Sequence, residues 1–168
     1  TRTSGSVTAP SRTAVFTEDS KALLSTIRQT FVIPEGAQSL TFDLSNYGLV
    51  SPTGGIPDAF EASLLDTNGV SAEGITNTSL VPTFRSYGSA FFTVNPNHTV
   101  GMGSTTTFDG THITLDLDNP FLGNLGGLTA TLVFHLIGNP PGVSSVIGID
   151  NVALNSSTVP DDHFSVNE

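Results

Sequence analysis

The side chains with the most chemical potential in this sequence are its carboxylates. Aspartate and glutamate number 15 against 5 lysines and arginines, so the formal net charge is -10 although only 12% of the residues are charged. Carboxylate oxygens coordinate hard cations such as Ca²⁺, and they accept hydrogen bonds from hydroxyl and amide groups. The composition therefore favours a neutral or cationic partner, including a bound cation.

Two of these acids begin the strongest pattern in the chain, residues 58–69 (DAFEASLLDTNG). Apolar and polar residues alternate along it before a DTNG turn sequence, which predicts a half-buried antiparallel strand. Asp58 and Glu61 are acids that a core strand does not need. We interpret Asp58 either as a cation ligand or as an acceptor that holds the loop 46–57, and Glu61 as a candidate ligand-binding residue.

Four further side chains are candidates for contact with a ligand. Asp43 lies on the polar face of an alternating segment, where it could hydrogen-bond a sugar or a peptide, or could be solvated. Arg85 and Tyr87 stand together in a predicted loop, and arginine forks to carboxylates while tyrosine offers a flat amphipathic ring. Tyr47 is the other candidate for an exposed aromatic ring. The alternative for both tyrosines is packing at the edge of the core.

No catalytic motif accompanies these residues. The chain has no cysteine, no Gly-x-Ser-x-Gly elbow, no HExxH sequence and no phosphate-binding glycine loop. No pair of acids stands out as a glycosidase pair. The histidines lack partners at metal-ligating spacing along the chain; they are His98, His112, His135 and His163. We therefore predict a protein that is not an enzyme.

Short apolar or alternating segments recur between turn residues along most of the chain. Strands are predicted at residues 14–16, 28–33, 39–44, 58–66, 89–94, 112–117, 128–137 and 143–154, with a short one at 79–81. Lys21–Ile27 is the one segment with a helical pattern. Residues 108–110 predict a hairpin turn, and residues 46–57 and 95–106 predict loops.

About eight to ten strands with almost no helix indicate an all-β protein, a two-sheet antiparallel β-sandwich. The 168 residues suit one domain, and they exceed the roughly 100 residues of an immunoglobulin-type domain, which favours the jelly-roll type. Residues 1–13 are predicted to be an N-terminal lead-in or linker, 14–155 the β-sandwich domain, and 156–168 a polar C-terminal tail.

The composition indicates an extracellular or cell-surface protein. Lys21 is the sole lysine, so serine, threonine, asparagine and glycine must cover most of the surface. The acidity argues against a nucleic-acid partner, because nucleic-acid binding requires a basic footprint. No apolar run approaches the roughly 18–20 residues of a membrane span, so we expect no membrane insertion.

A likeness to a known group of domains is carried by three segments, QTFVIP leading into LTFD (residues 29–43), DAFEASLLDTNG (58–69) and IDNVAL (149–154). In their order and spacing they resemble the calcium-stabilised jelly-roll domains of bacterial extracellular proteins. These include carbohydrate-binding modules and the ligand-binding domains of surface adhesins. The resemblance covers roughly residues 14–155, and it implies a non-catalytic binding role.

The resemblance also implies a structural calcium ion where the first strand meets the last. By position, Glu18 or Asp19 and the closing-strand Asp150 match the carboxylates that hold this ion, helped by backbone carbonyls, and Asp58 is a candidate for a second cation. Calcium takes about six to eight oxygen ligands, and a cation relieves the repulsion among clustered acids. The alternative is that Asp150 caps a strand end and Glu18 is solvated.

These features predict a calcium-stabilised extracellular module that binds a polysaccharide or a peptide and is part of a larger secreted or cell-surface protein. With 0 Trp and 2 Tyr, the chain offers little aromatic surface for stacking sugars, which keeps a peptide ligand in consideration. The alternative is a structural subunit of an extracellular fibre, tube or surface layer, which self-associates into filaments by strand exchange through its N-terminal segment. A glycan-active enzyme is the third and least favoured interpretation.

Overall fold

The computed structural model describes residues 6–8, 13–18, 24–50, 57–66, 86–92, 99–102, 105–138 and 145–157. In this part of the chain the strands are β1 (Ser6–Thr8), β2 (Ala14–Thr17), β3 (Leu24–Val32), β4 (Ala37–Gly48), β5 (Ala59–Asp66), β6 (Ser86–Phe92), β7 (Thr99–Met102), β8 (Thr106–Phe108), β9 (His112–Asp116), β10 (Thr129–Ile137) and β11 (Val146–Ser156). Within these residues no helix has the length and apolar character needed to cross a membrane.

The strands form two antiparallel sheets that pack as a β-sandwich, which confirms the predicted fold class. One sheet has the order β1-β2-β11-β4-β9-β8, and the other has the order β3-β10-β5-β6-β7. The predicted turn at residues 108–110 joins β8 and β9 as an antiparallel hairpin. The jelly-roll assignment stays a prediction.

The core lies between the sheets and is built around phenylalanine rings. Alternation along each strand places one set of side chains inward, and Phe60 on β5 is fully buried there. Its ring centroid lies 5.9 Å from that of Phe16, 6.2 Å from that of Phe134 and 6.4 Å from that of Phe92. Strands from both sheets therefore meet at this ring.

The helix that the pattern at Lys21–Ile27 indicated is wrong for residues 24–27, because β3 begins at Leu24. Leu24 pairs with Ile137 and Ile27 pairs with Phe134 in the ladder with β10. A short helical pattern is a weak preference, and pairing with a long buried strand overrides it. Residues 21–23 lie outside the described residues.

Three predicted loop or terminal segments contain strand. Ser6–Thr8, within the predicted lead-in, pairs with β2 of the same chain. β4 continues to Gly48, and β7 occupies Thr99–Met102. In each case a neighbouring strand edge supplies backbone partners that the polar composition does not reveal. The predicted strand at 79–81 lies outside the described residues.

β5 is fully buried on its core face and half-buried on the other, as its alternating pattern predicted. Phe60 and Leu64 face the core. On the opposite face Glu61 is half-buried, while Ser63 is only 6% exposed. The Ser63 hydroxyl donates to Glu61 Oε1 at 3.1 Å. This bond offsets the cost of removing a polar side chain from water, which is why the alternating pattern is compatible with burial.

Replacing Phe60 with alanine is expected to lower the free energy of unfolding by about 3–5 kcal/mol, because a buried ring is lost and a cavity remains. Phe121, which is 91% exposed, provides the matched control. Phe121→Ala is expected to change stability by less than about 0.5 kcal/mol. Urea unfolding measures both, and equal effects would contradict the central position of Phe60.

Candidate functional site

Three polar side chains meet on the outer face of the six-stranded sheet. Asp43 on β4 points outward because its neighbours Phe42 and Leu44 point into the core. The strand register pairs Asp43 with His112 on β9 and, on the other side, with Asp150 on β11. We call Asp43, His112 and Asn151 the Asp43 cluster.

Both carboxylate oxygens of Asp43 are held by neighbouring strands. Asn151 Nδ2 donates to Oδ2 at 2.7 Å, and His112 Nδ1 lies 2.6 Å from Oδ1. The bond from Asn151 and then that from His112 lower the pKa of Asp43, so the carboxylate is ionised at neutral pH. An ionised carboxylate only accepts hydrogen bonds, so His112 Nδ1 carries the hydrogen.

A β-bulge in β11 carries Asn151 into the cluster. Between the pairs Asp150–Asp43 and Ala153–Thr41, β11 advances three residues while β4 advances two. Asn151 has φ 51°, a left-handed conformation that asparagine tolerates better than most residues. The bulge turns its side chain amide toward Asp43.

Asp150 fixes this bulge from behind. Its Oδ1 accepts the Asn151 backbone N–H at 2.7 Å, and its Oδ2 accepts the Thr13 hydroxyl at 3.0 Å. The side chain that the resemblance assigns to calcium therefore ties the start of β2 to the bulge that presents Asn151.

The turn between β8 and β9 holds the other side of the cluster. Asp109 Oδ1 accepts the backbone N–H of His112 at 2.8 Å and that of Thr111 at 3.1 Å. These two bonds, the one from His112 first, lower the pKa of Asp109. The backbone position of His112 is thus fixed by the turn while its ring is fixed by Asp43.

The predicted calcium pair, Glu18 and Asp150, is not brought together. In the β2–β11 ladder Thr17 pairs with Val146 and Ala14 pairs with Ile149, so Glu18 follows one end and Asp150 the other. Five residues of strand separate the two positions, which is about 16 Å at 3.3 Å per residue. One ion cannot be bound by both carboxylates, and that pairing is a wrong prediction. Asp19 lies outside the described residues.

Glu18 lies instead beside Asp58, and both are buried, at 8% and 2% exposure. Ser145 joins them, because its backbone N–H donates to Glu18 Oε2 at 3.1 Å and its hydroxyl donates to Asp58 Oδ2. Ser145 Oγ also accepts the Val50 N–H at 2.9 Å, and the Asp58 N–H donates to the Val50 carbonyl. Asp58 is thus linked through the Ser145 hydroxyl to Val50, which lies within the loop 46–57. Both interpretations of Asp58 stay predictions.

The buried pair affects the protonation of Glu18. Burial raises the pKa of Glu18, the Ser145 N–H opposes that rise, and the nearby Asp58 adds to it. Two adjacent buried carboxyl groups are relieved by either a proton or a cation. The site can therefore hold one or the other.

Glu61 pairs across the sheet with His135 on β10. Burial raises the pKa of Glu61, and the hydroxyl of Ser63 partly offsets this. Burial, with a smaller contribution from Arg28, lowers the pKa of His135 to about 4. His135 Nδ1 lies 2.8 Å from the Thr26 hydroxyl. Glu61 is therefore part of a half-buried polar row and does not reach the Asp43 cluster, which lies on the other sheet.

The tyrosine candidates do not present open rings. Tyr87 is 6% exposed and belongs to the core, as the alternative interpretation predicted. Tyr47 is half-buried, with its ring 6.4 Å from that of Phe92 between centroids, and burial raises its pKa to about 12. Arg85 lies outside the described residues.

The sequence indicated Asp43 but missed His112, Asn151 and Ser145. The local sequence around His112 does not reveal its partner, because Asp43 is 69 residues away. A signal did exist, since His112 and Asp43 both stand on the polar side of alternating segments. Only the strand register shows that they are neighbours.

Comparison with protein families, with curated proteins and with solved structures finds no match in any of the three. The resemblance to calcium-stabilised jelly-roll domains stays a prediction from the sequence. Within the described ranges, no group of three or more histidine, aspartate or glutamate side chains is placed to hold a metal ion.

Asp43→Asn is expected to destabilise the protein by about 1–2 kcal/mol at neutral pH, because a charged acceptor of two hydrogen bonds is lost. Since the pKa of Asp43 lies below its usual 3.8 in the folded state, this stabilisation is present above that value and is lost as the pH falls through the lowered one. Urea unfolding of both proteins across acid pH measures the difference.

The matched control is Asp116→Asn, which removes an exposed acid from the same face of β9. It is expected to change stability by less than about 0.5 kcal/mol. A difference between wild type and Asp43→Asn that stays constant down to about pH 2 would contradict the role of the ionised carboxylate.

Proposed function

We propose that this protein is a non-catalytic, extracellular binding module whose ligand, a polysaccharide or a peptide, lies on the outer face of the six-stranded sheet. The observation that carries the proposal is the Asp43 cluster. It places hydrogen-bonding side chains from three adjacent strands at one exposed position.

Rigidity of the cluster supports a role in recognition. The Asp43 carboxylate is bound on both sides, Asp150 fixes the bulge behind Asn151, and Asp109 fixes the backbone of His112. Side chains already fixed in the free protein lose less conformational freedom on binding, which increases affinity.

The contacts of His112 support binding over catalysis. An Asp–His pair becomes a catalytic base when a serine, threonine or cysteine nucleophile contacts its other ring nitrogen. In the described part of the chain, the hydrogen-bond partner of the ring is Asp43, and no hydroxyl contacts the other nitrogen. The chain contains no cysteine.

Glycan and peptide arrays probed with the labelled protein test this proposal. We expect binding to one class of spots, reduced at least about tenfold by Asp43→Asn, since hydrogen bonds to charged groups contribute about 1.5–3 kcal/mol. Asp116→Asn, with the same change in charge on the same face, is expected to bind like wild type. Equal binding by wild type and Asp43→Asn would show that the ligand lies elsewhere.

We further propose that Ca²⁺ stabilises the fold at Glu18 and Asp58. The support is their proximity in the interior and the raised pKa of Glu18, which reflects the cost of a charged carboxylate at this position. A calcium ion would be held by these carboxylates with the Ser145 hydroxyl beside them, and it would join the ends of β2, the loop before β5 and the start of β11. The ion contributes charge neutralisation and oxygen coordination there.

Melting curves in calcium and in chelator, for wild type and Glu18→Gln, separate a bound cation from a bound proton. Without calcium, stability falls as pH rises from the usual pKa of Glu18, 4.5, through its raised folded value, so Glu18→Gln is expected to melt at or above wild type at neutral pH. With calcium at about 100 times its Kd, wild type is expected to gain about 2.7 kcal/mol, roughly 5–10 °C, and Glu18→Gln to gain much less.

Asp150→Asn is the control for this measurement. It removes the carboxylate that the resemblance assigned to calcium, but that carboxylate lies at the other end of the ladder. It is expected to lower the melting temperature equally in both conditions and to keep the calcium gain. A wild-type melting temperature that is the same in calcium and in chelator would contradict the proposed ion.

A further inference from the structure

We infer that the Asp43 cluster binds a cationic group rich in hydrogen-bond donors, the guanidinium group of an arginine in a peptide. This inference rests on the proposed binding function and narrows its ligand class.

The ring of His112 is the first group of the cluster that faces a ligand. Nδ1 carries a hydrogen and donates it to Asp43 Oδ1, so in the neutral ring Nε2 bears a lone pair. None of the described residues makes a hydrogen bond to Nε2. The histidine side chain is 43% exposed. In its neutral form, His112 therefore presents an acceptor.

Asn151 presents its side-chain amide beside Asp43. The amide nitrogen must face Asp43, because the ionised carboxylate can only accept. The backbone N–H of Asn151 is also used, by Asp150 Oδ1. Asn151 is exposed, so its amide oxygen and the second N–H of the amide face a ligand, and the oxygen is a second acceptor.

Asp43 itself keeps acceptor capacity. Its two hydrogen bonds use two of the roughly four lone-pair positions of a carboxylate. With 26% of the side chain exposed, the carboxylate can accept further hydrogen bonds from a ligand. Apart from the second amide N–H of Asn151, the hydrogen-bonding groups that the cluster offers to a ligand are therefore acceptors.

Negative charge surrounds the cluster among the described residues. Asp109 and Asp150 flank it on either side, and each already accepts hydrogen bonds from the chain. Arg28, the basic residue in the described part of the chain, is on β3 of the other sheet. The net charge of -10 also favours a cationic partner over an anionic one.

These properties select the guanidinium group among common ligand groups. It is a planar cation with five donors and no acceptor, and it binds carboxylates in a forked geometry. A sugar hydroxyl both donates and accepts hydrogen bonds, so a site composed mainly of acceptors would use the donor of the hydroxyl and leave its acceptor lone pairs unused. The match of charge and hydrogen-bonding direction therefore favours arginine.

The test uses three short peptides that differ at one central position, which is arginine, citrulline or lysine. Citrulline has the shape of arginine without its charge. Titration of the ¹⁵N-labelled protein is expected to shift the signals of His112 and Asn151, with arginine binding at least about tenfold more tightly than citrulline and weakening in high salt. If the lysine peptide binds as tightly as the arginine peptide, the site binds cations in general and the inferred preference for a guanidinium group is wrong.

Two variants connect the binding to the cluster. Asn151→Gly removes the amide while keeping a residue that adopts φ 51° without strain, and His112→Ala removes the ring. Each is expected to weaken arginine binding at least about fivefold, whereas Asp116→Asn is expected to bind like wild type. Unchanged binding in both variants would overturn the inference.

The outcomes distinguish this inference from the proposed function. If arginine and citrulline peptides bind equally, or if neither shifts the cluster while an array ligand is lost in Asp43→Asn, the inference is wrong and the binding function stands. If Asp43→Asn binds every array ligand like wild type, the proposed function itself is wrong.

Discussion

The pairing of β11 with β4 is the constraint on which both candidate sites depend. β11 lies between β2 and β4, so the closing strand joins the start of the chain to the middle of the sheet. The residue before β11, Ser145, connects Glu18 with Asp58, and the bulge in β11 presents Asn151 to Asp43.

A second bulge in this ladder lies in β4. Asn46 there has φ 47°, and Gly148 of β11 lies against Ser45 with no room for a Cβ. Asn46 thus supplies the backbone conformation, and Gly148 the close approach of the strands, that this irregular pairing requires.

The two carboxylate groups show how surroundings decide the behaviour of one kind of side chain. At Asp43, two donors from neighbouring strands favour the charged form and lower the pKa. At Glu18, burial and a neighbouring acid disfavour the charged form and raise the pKa. The first arrangement holds a negative charge at the surface at neutral pH, which suits the donor-rich ligand that we propose. The second stores unfavourable charge in the interior, which a proton or a cation relieves.

The strands could be predicted because alternation reflects burial directly. Phe60 and Leu64 face the core as their spacing indicated, and Asp43 was found because it stands opposite apolar neighbours. The predictions that failed were those that depend on which distant strands pair and in which register. Glu18 and Asp150 are separated by the direction and register of β2 on β11, and His112 reaches Asp43 only through the β4–β9 ladder. A one-residue change in register would alter either outcome, and the sequence does not encode register visibly.

The position of the hydrogen on the ring of His112 tests the central claim most directly. Long-range ¹H–¹⁵N correlation spectra distinguish the two neutral tautomers of a histidine ring from each other and from the doubly protonated ring, and His112→Ala identifies the signals. We expect the hydrogen on Nδ1, held by Asp43, with Nε2 bearing the lone pair that faces the solvent. A hydrogen found on Nε2 would contradict the account, because the ring would then present a donor and could not donate to Asp43.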